Sequence, residues 1–474
     1  MAEVLTPDLC VIGAGSGGLS IAAGASQMGA SVVLIERAKM GGDCLNYGCV
    51  PSKALIAAGH AAHAIRNAHR FGVTAGAPAI DFAAIHRHVH GVIAAIAPND
   101  SVERFTGLGV RVIQAEARFT GPDEVEAGAW RIRARRFVVA TGSSAFVPPI
   151  PGLDRVAYLT NESVFDLTQC PGHLIVVGGG PIGCELAQAH RRLGARVSVV
   201  ELATLMPKDD PELVAIVRAR LKAEGVEIHE GVKVSGVAPR GAGVAVTAEV
   251  NGVAREIEGT HLLLAVGRRA NVKDLGLDAA GVAFGPGGLT VDARLRSTNP
   301  RVYAAGDAAG GLQFTHMAGH HAGIVIRNVL FRMGARVETR AVPWVTYTDP
   351  ELAHVGLTEA GAKAAQQDIR ILRWPFHEND RAQAERETEG LIKVIVSPKG
   401  RVLGASIVGP RAGDLVMPWV LAVQEGLKIH AMAKAIAPYP TLSEVGKRVA
   451  GTFFTPTLFS ARTKRVVRFL KRLG

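Results

Sequence analysis

Residues 9–36 read LCVIGAGSGGLSIAAGASQMGASVVLIE, and residues 174–201 read LIVVGGGPIGCELAQAHRRLGARVSVVE: one pattern written twice. Each runs apolar strand, glycine turn, small-residue helix, apolar strand, acid. The step from first glycine to final acid is 23 positions in both, Gly13 to Glu36 and Gly178 to Glu201. In Gly13-x-Gly15-x-x-Gly18 and Gly178-x-Gly180-x-x-Gly183 the first glycine permits the tight turn. The second lets a pyrophosphate approach the backbone, and the third lets the helix lie close on the strand. The helix N-terminus behind the turn favours phosphate charge, and the acid is placed to accept from a ribose diol. The bland alternative for each is a glycine-rich turn with a glutamate that ends a strand in solvent. Two such units imply an α/β fold with two Rossmann-like nucleotide-binding domains.

At 474 residues the chain is too long for one compact core. Its 48% hydrophobic content with only 5% aromatics and 55 glycines suits parallel sheets with tight strand-to-helix turns. Residues 53–70 and 83–97 are Ala- and His-rich and helical, and residues 110–147 form short strands ending in the proline-rich hinge FVVATGSSAFVPPIPG. Residues 203–258 read as a helix and an antiparallel excursion, and LLLAVGRRAN (262–271) and VYAAGDAAG (302–310) as strand-plus-glycine segments. Beyond about residue 340, Pro343, Trp344, Trp374 and Trp419 enter, with alternating stretches such as LIKVIVSPKGRVLGASIVG (391–409). The expected division is therefore 1–148, the first part of one nucleotide domain; 149–271, the second nucleotide domain; 272–339, a return to the first or a central domain; and 340–474, a C-terminal α+β domain.

The start MAEVLTPD has no signal-peptide pattern and no long apolar run is present, so a soluble, cytoplasmic protein is expected. Of the net charge of +11, six charges lie from Ala461 onward, in Arg462, Lys464, Arg465, Arg468, Lys471 and Arg472, with no acid among them. The body is only mildly basic, which gives no reason to expect a nucleic-acid partner. Phe459, Val466, Val467, Leu470 and Leu473 share one helical face. The tail is expected to pack on its own body with solvated charges, or else to lie on an anionic membrane or dock a partner protein.

Five cysteines in so large a chain are no secreted disulfide framework. Cys44 and Cys49 stand in GGDCLNYGCVPSK, among glycines and ahead of a helical run from Pro51. A helix N-terminus lowers the thiol pKa of Cys49, and the flexible loop lets the two sulfurs meet. The pair reads as a redox dithiol; the alternatives are inert thiols or a zinc half-site. Zinc needs a second ligand pair, and none is close in sequence, so no resident metal is expected. Cys10 and Cys184 read as packing residues and Cys170 as a loop thiol. A carboxylate at Glu201 repels a 2′-phosphate, which favours NADH over NADPH.

Taken in order, the first glycine triplet, GGDCLNYGCVPSK, ATGS (140–143), the second triplet, VGRRAN (266–271) and AAGDAA (304–309) resemble the class I pyridine nucleotide–disulfide oxidoreductases. That family includes dihydrolipoamide dehydrogenase, glutathione reductase and mercuric reductase, and the likeness covers essentially the whole chain. It implies FAD and NAD(P) domains, a central domain and an interface domain. It further implies a homodimer whose active site takes residues from both chains. By the same resemblance Cys44 is the interchange thiol facing substrate and Cys49 the charge-transfer thiol facing the flavin. Lys53 is the lysine beside flavin N5, and Glu185 its ion-pair partner. Asp307 holds the ribityl–pyrophosphate region of FAD, Gly142 and Gly267 belong to cofactor-binding segments, and Arg268 lines the nicotinamide side. Pro181 stands where some members carry a gating tyrosine.

The chain departs from the family near its C-terminus. Disulfide-reducing members carry His-Pro-Thr with a glutamate orienting the histidine. Here the run is Ala437-Pro438-Tyr439-Pro440-Thr441-Leu442-Ser443-Glu444, with Glu444 present and Tyr439 in the histidine's place. A phenol with pKa near 10 is a poor proton acceptor at neutral pH, where imidazole near 6.5 is well placed. Mercuric reductases do carry a tyrosine here, and their substrate is a thiolate-bound metal ion. Yet they typically end in a vicinal cysteine pair, whereas the last cysteine here is Cys184. The expected activity is NAD(P)H-dependent reduction of a thiol-bound metal ion or a small disulfide. The alternatives are lipoamide-type dithiol oxidation and a flavin redox sensor or docking protein.

Overall fold

The computed structural model of the chain describes residues 3–250 and 253–473. It forms two compact units, Met1–Leu202 with Glu227–Val337, and Ala203–Val226 with Glu338–Gly474.

In the first unit, β1 (Leu9–Ile12), β2 (Val32–Glu36), β3 (Val110–Gln114) and β4 (Arg136–Val139) join the strand Val302–Ala304. The sheet is parallel, in the order Val302–Ala304, β4, β1, β2, β3. Its inner strands are nearly uninterrupted apolar runs because both faces are covered, whereas the edge strand β3 exposes Arg111 and Gln114. Cys10, Ile12, Val33, Ile35, Phe137 and Val139 enter one core. Their alternate neighbours Leu9, Val11, Val32, Leu34 and Val138 enter another, the two-residue period of a strand buried on both sides. A second parallel sheet, built from β5 (His173–Val177), β6 (Arg196–Glu201), β7 (Val226–Glu230) and β8 (His261–Leu264), has the order β7, β6, β5, β8. The antiparallel excursion expected after residue 203 is the three-stranded sheet Lys233–Arg240, Gly243–Val250, Val253–Gly259.

Three helices position the site: α1 (Ser16–Gln27) after β1, α2 (Cys49–Asn67) after the cysteine loop, and α3 (Pro181–Arg192) after β5. Helix α2 starts at Cys49 rather than Pro51, so Cys49 is itself the first helical residue. A Cβ on Gly59 of α2 would stand 3.4 Å from the Ala189 Cα of α3, so small residues let these two helices approach closely.

In the second unit β9 (Pro343–Thr346), β10 (Glu351–Gly356), β11 (Arg370–Pro375), β12 (Leu391–Val396) and β13 (Val402–Gly409) form an antiparallel sheet ordered β9, β10, β13, β12, β11. The helix Pro211–Ala223, which chain order puts inside the second nucleotide domain, packs on β10 and β13 of this sheet. Charge explains the placement. Lys393 on β12 is 3% exposed, and its Nζ lies 2.6 Å from Asp210, 2.6 Å from Glu359 and 3.0 Å from Glu212. A buried cation is tolerated only with such partners, and two of the three come from the start of that helix. The chain ends in α4 (Glu444–Thr452) and α5 (Ala461–Leu470). Among the described residues no helix is long and apolar enough to cross a membrane.

Candidate active site

The two glycine turns have the same build. Gly13 has φ +104° and Gly178 φ +111°, and a Cβ there would stand 2.4 Å from the Ala140 and Ala265 carbonyl oxygens respectively. A Cβ on Gly18 would lie 1.8 Å from the Gly13 oxygen, and one on Gly183 2.0 Å from that of Gly178. First and third glycines are thus demanded by the chain itself. The middle ones are not: a Cβ on Gly180 would meet nothing within 4 Å, and one on Gly15 only the Gly42 Cα at 3.8 Å. Intramolecular packing gives no reason for these two to be glycine, whereas a ligand lying along the backbone does. Both acids fold back on their turns. Glu36 accepts from Ala14 N at 2.7 Å and Ala38 N at 2.8 Å, and Glu201 from Gly179 N at 2.6 Å. The donor set and open cradle fit a dinucleotide at each turn.

The cysteine loop is held against the first turn. A Cβ on Gly42, at φ +59°, would stand 2.7 Å from the Gly15 Cα. Cys44 lies in the short helix Gly42–Asn46, and Cys49 opens α2. The cysteines are free thiols in this structure, and the Cys44 thiol hydrogen-bonds the Cys49 sulfur. The Cys49 sulfur also lies 3.4 Å from Thr315 Oγ1. The bond from Cys44, that from Thr315 and the Lys53 charge outweigh burial and bring the Cys49 pKa down to about 6. The same bond, with burial, pushes Cys44 far up. At neutral pH the pair is one thiolate, Cys49, and one thiol, Cys44. Lys53, one turn along α2 from Cys49, pairs with Glu185 of α3 at 2.8 Å, the carboxylate being 6% exposed and the ammonium 37%. Cys10 and Cys184 are buried.

A polar chain links the remaining segments. Ser143 Oγ donates to Asp307 at 2.5 Å, and Arg268 Nε donates to Ser143 Oγ at 2.7 Å. The other arm of Arg268 reaches Ser143 O at 2.7 Å and the Asp43 carboxylate at 3.0 Å. Asp43 also accepts from Asn161 at 3.1 Å. Burial raises the Asp307 pKa, opposed by its bond to Ser143 and the charge of Arg268. Gly142 and Gly267 sit at φ +68° and +121° with open space where a Cβ would be. Thr315, Ser143 and Asp43 belong to this site without having been singled out in the sequence. Asp43, next to Cys44, was the nearest at hand, but Thr315 lies 266 positions from the sulfur it touches.

Tyr439 and Glu444 belong to the second unit. Tyr439 is 70% exposed and donates its hydroxyl to Asp380 at 3.0 Å. The carboxylate that its hydroxyl meets is Asp380. The Asp380 bond, its charge and that of Glu444 raise the phenol's pKa, so it stays protonated at neutral pH. Outside these groups, the described residues hold one cluster of three potential metal ligands, His86, His90 and Asp166, with donor atoms within 4.8 Å of one another; it includes no cysteine.

Residues 7–322 match the family "Pyridine nucleotide-disulphide oxidoreductase" and residues 342–450 its dimerisation domain. A mercuric reductase of Bacillus cereus is 36% identical over 449 residues, covering 94% of this chain and 71% of its own. A dihydrolipoyl dehydrogenase of Geobacillus stearothermophilus is 33% identical over 449 residues, covering 93% and 94%. Among solved structures, the Cu(II) complex of the HOCl-induced flavoprotein disulfide reductase RclA from Escherichia coli superposes with a TM-score of 0.84. It is 27% identical, over 94% of this chain and 99% of that one.

Proposed function

Because this chain belongs to the pyridine nucleotide-disulphide oxidoreductase family, we propose that its Cys44–Cys49 pair delivers electrons from NADH to a thiol-bound soft metal ion. The chain is a FAD-dependent, NAD(P)H-using disulfide oxidoreductase, and its dimerisation domain supports a homodimer. In the proposed division residues 1–148 and 272–339 serve FAD, 149–271 the nicotinamide nucleotide and 340–474 dimerisation.

Gly13, Gly15, Gly18 and Glu36 would hold the adenine-nucleotide half of FAD, with Gly142 and Asp307 along its ribityl–pyrophosphate region. Gly178, Gly180, Gly183, Glu201, Gly267 and Arg268 would serve the nicotinamide nucleotide, Glu201 disfavouring a 2′-phosphate. FAD held there would supply the two-electron relay between the nicotinamide and the disulfide. Cys49 holds the resulting negative charge, stabilised by the Cys44 and Thr315 hydrogen bonds and by Lys53. Glu185 fixes the Lys53 ammonium, and Arg268 fixes the loop through Asp43. Cys44 keeps its proton until it meets substrate.

The observation that carries the choice of acceptor is Tyr439, a protonated phenol tied to Asp380 where disulfide-reducing members place a histidine. Reduction of a lipoamide or glutathione disulfide needs a group that exchanges protons with the thiols at neutral pH, which this phenol does not do. A divalent soft ion such as Hg(II) reaches the pair by exchange of its thiolate ligands, with no S–S bond to attack. It takes two electrons and becomes the metal, its two thiol ligands leave as one thiolate and one thiol that takes the Cys44 proton, and Cys44 and Cys49 close their disulfide. Thiol and thiolate sulfur are the donors such an ion prefers. The Cu(II) complex of the E. coli relative supports a metal ion as ligand. The test is steady-state NADH oxidation with Hg(II)–thiol complexes, lipoamide and glutathione disulfide as acceptors. The metal complex should be reduced at least about 10²-fold faster than either disulfide, the lower end of a missing general base. Equal or faster lipoamide turnover would establish a dithiol dehydrogenase instead.

A further inference from the structure

Helix α5 (Ala461–Leu470) ends the chain, capped by Ser460, whose hydroxyl accepts from Thr463 N at 3.1 Å. None of its residues is buried. Its apolar side chains do not pack on the body of the chain, as the simpler of the two expectations for the tail had it. Val466, Phe469, Leu470 and Leu473 stand at i, i+3, i+4 and i+7, the spacing of one helical face. They are 49%, 61%, 54% and 69% exposed. Lys464, Arg468 and Lys471 fall on the opposite side, Arg465 and Arg472 stand at its edge, Arg462 stands one turn before Val466 in the apolar row, and residues 445–474 contain no Asp or Glu. The match to the dimerisation domain ends at residue 450, before this helix.

We propose that α5 is a binding site for anionic phospholipid: the helix lies in the plane of a membrane surface, apolar face among the acyl chains and cations among the phosphates. An amphipathic helix that carries cations and no acid, and is too short to span, has the geometry of an interfacial anchor. The charge decides the occupant. A second copy would bring the same uncompensated cations to the contact, whereas an anionic lipid surface neutralises them, with an attraction that falls off within a Debye length. Contact of this kind is reversible. The inference does not rest on which acceptor the enzyme reduces.

The experiment uses the full-length holoenzyme in co-sedimentation with phosphatidylcholine vesicles, with and without phosphatidylglycerol. The phosphatidylglycerol vesicles should bind at least ~10-fold more protein, and raised salt should weaken that binding. Phe469→Glu with Leu470→Glu should abolish it with NADH-dependent turnover unchanged. Lys464→Gln with Arg468→Gln should weaken it while sparing the apolar face. Absence of binding, binding indifferent to phosphatidylglycerol, or full binding by the Phe469→Glu/Leu470→Glu variant would overturn the proposal. So would a lipid-free wild type with larger mass by light scattering than that variant, since a second copy would then cover the face.

Discussion

Replacing Lys53 with methionine keeps the length of the side chain and removes its charge, which makes it a direct probe of how the redox pair is poised. Lys53 follows Cys49 by one helical turn, so both project from the same face of α2. An opposite charge at such range shifts a thiol by about 1–3 units. Here the hydrogen bonds from Cys44 and Thr315 rank above the ammonium, which puts its share at the low end, roughly one unit or ~1.4 kcal/mol. Lys53→Met should therefore move the Cys49 titration up from about 6 by roughly one unit, Lys53→Arg should leave it near the wild-type value, and Thr315→Val should move it in the same direction as Lys53→Met. The reduced enzyme's thiolate absorbance and its rate of alkylation by iodoacetamide, each followed against pH, read the shift. Removing the ammonium also takes from Glu185, 6% exposed, its ion-pair partner. Breaking a fully buried pair costs about 3–5 kcal/mol, and the exposed flank of Lys53 lowers this to roughly 1–3 kcal/mol of stability. A Cys49 titration that does not move in Lys53→Met or Thr315→Val would refute the electrostatic account of the pair.

Gly180→Ala should fold with unchanged melting temperature, because a Cβ there meets no protein atom, yet bind NADH at least ~10-fold more weakly by fluorescence titration. Gly183→Ala should instead lose folding stability, its Cβ being driven to 2.0 Å from the Gly178 oxygen. Glu201→Arg should shift the kcat/KM ratio toward NADPH by about 1–3 kcal/mol, the scale of a charged hydrogen bond; strong NADPH preference in the wild type would contradict the reading of this acid. Glu359 is held down to about 2 by its bonds to Lys363 and Lys393. A carboxyl lowered on folding stabilises above its ordinary 4.5, and that contribution is lost as pH falls through about 2. Melting temperature against pH should show that loss in the wild type and a flatter profile in Glu359→Gln.

Local periodicity made much of this architecture legible. The two glycine units, the antiparallel excursion and the strand pair at 391–409 are each written in residues close together in the chain, and the structure builds them where the pattern puts them. The cysteine loop and its helix were equally local, and the helix dipole reaches Cys49 more directly than expected because Cys49 is its first residue. Contacts across long separations were not legible. Nothing around Thr315 announces that its hydroxyl meets a sulfur at Cys49. The helix Pro211–Ala223 follows β6 as a Rossmann helix would, but Asp210 and Glu212 at its start fix it to Lys393 of the C-terminal sheet. The Tyr439 hydroxyl is held by Asp380, 59 positions upstream, a partner that nothing near Tyr439 in the chain announces.

The central claim, that the protonated phenol at Tyr439 excludes efficient disulfide exchange and leaves a metal ion as acceptor, is tested most directly by Tyr439→His with two acceptors side by side. Asp380 is the carboxylate beside this position, and an imidazole near 6.5 exchanges protons at neutral pH. The account predicts that kcat/KM for lipoamide rises by about 10²-fold or more near pH 7, while turnover of an Hg(II)–thiol complex stays level or falls. Fast lipoamide turnover by the wild type, slowed by Tyr439→His, would contradict it.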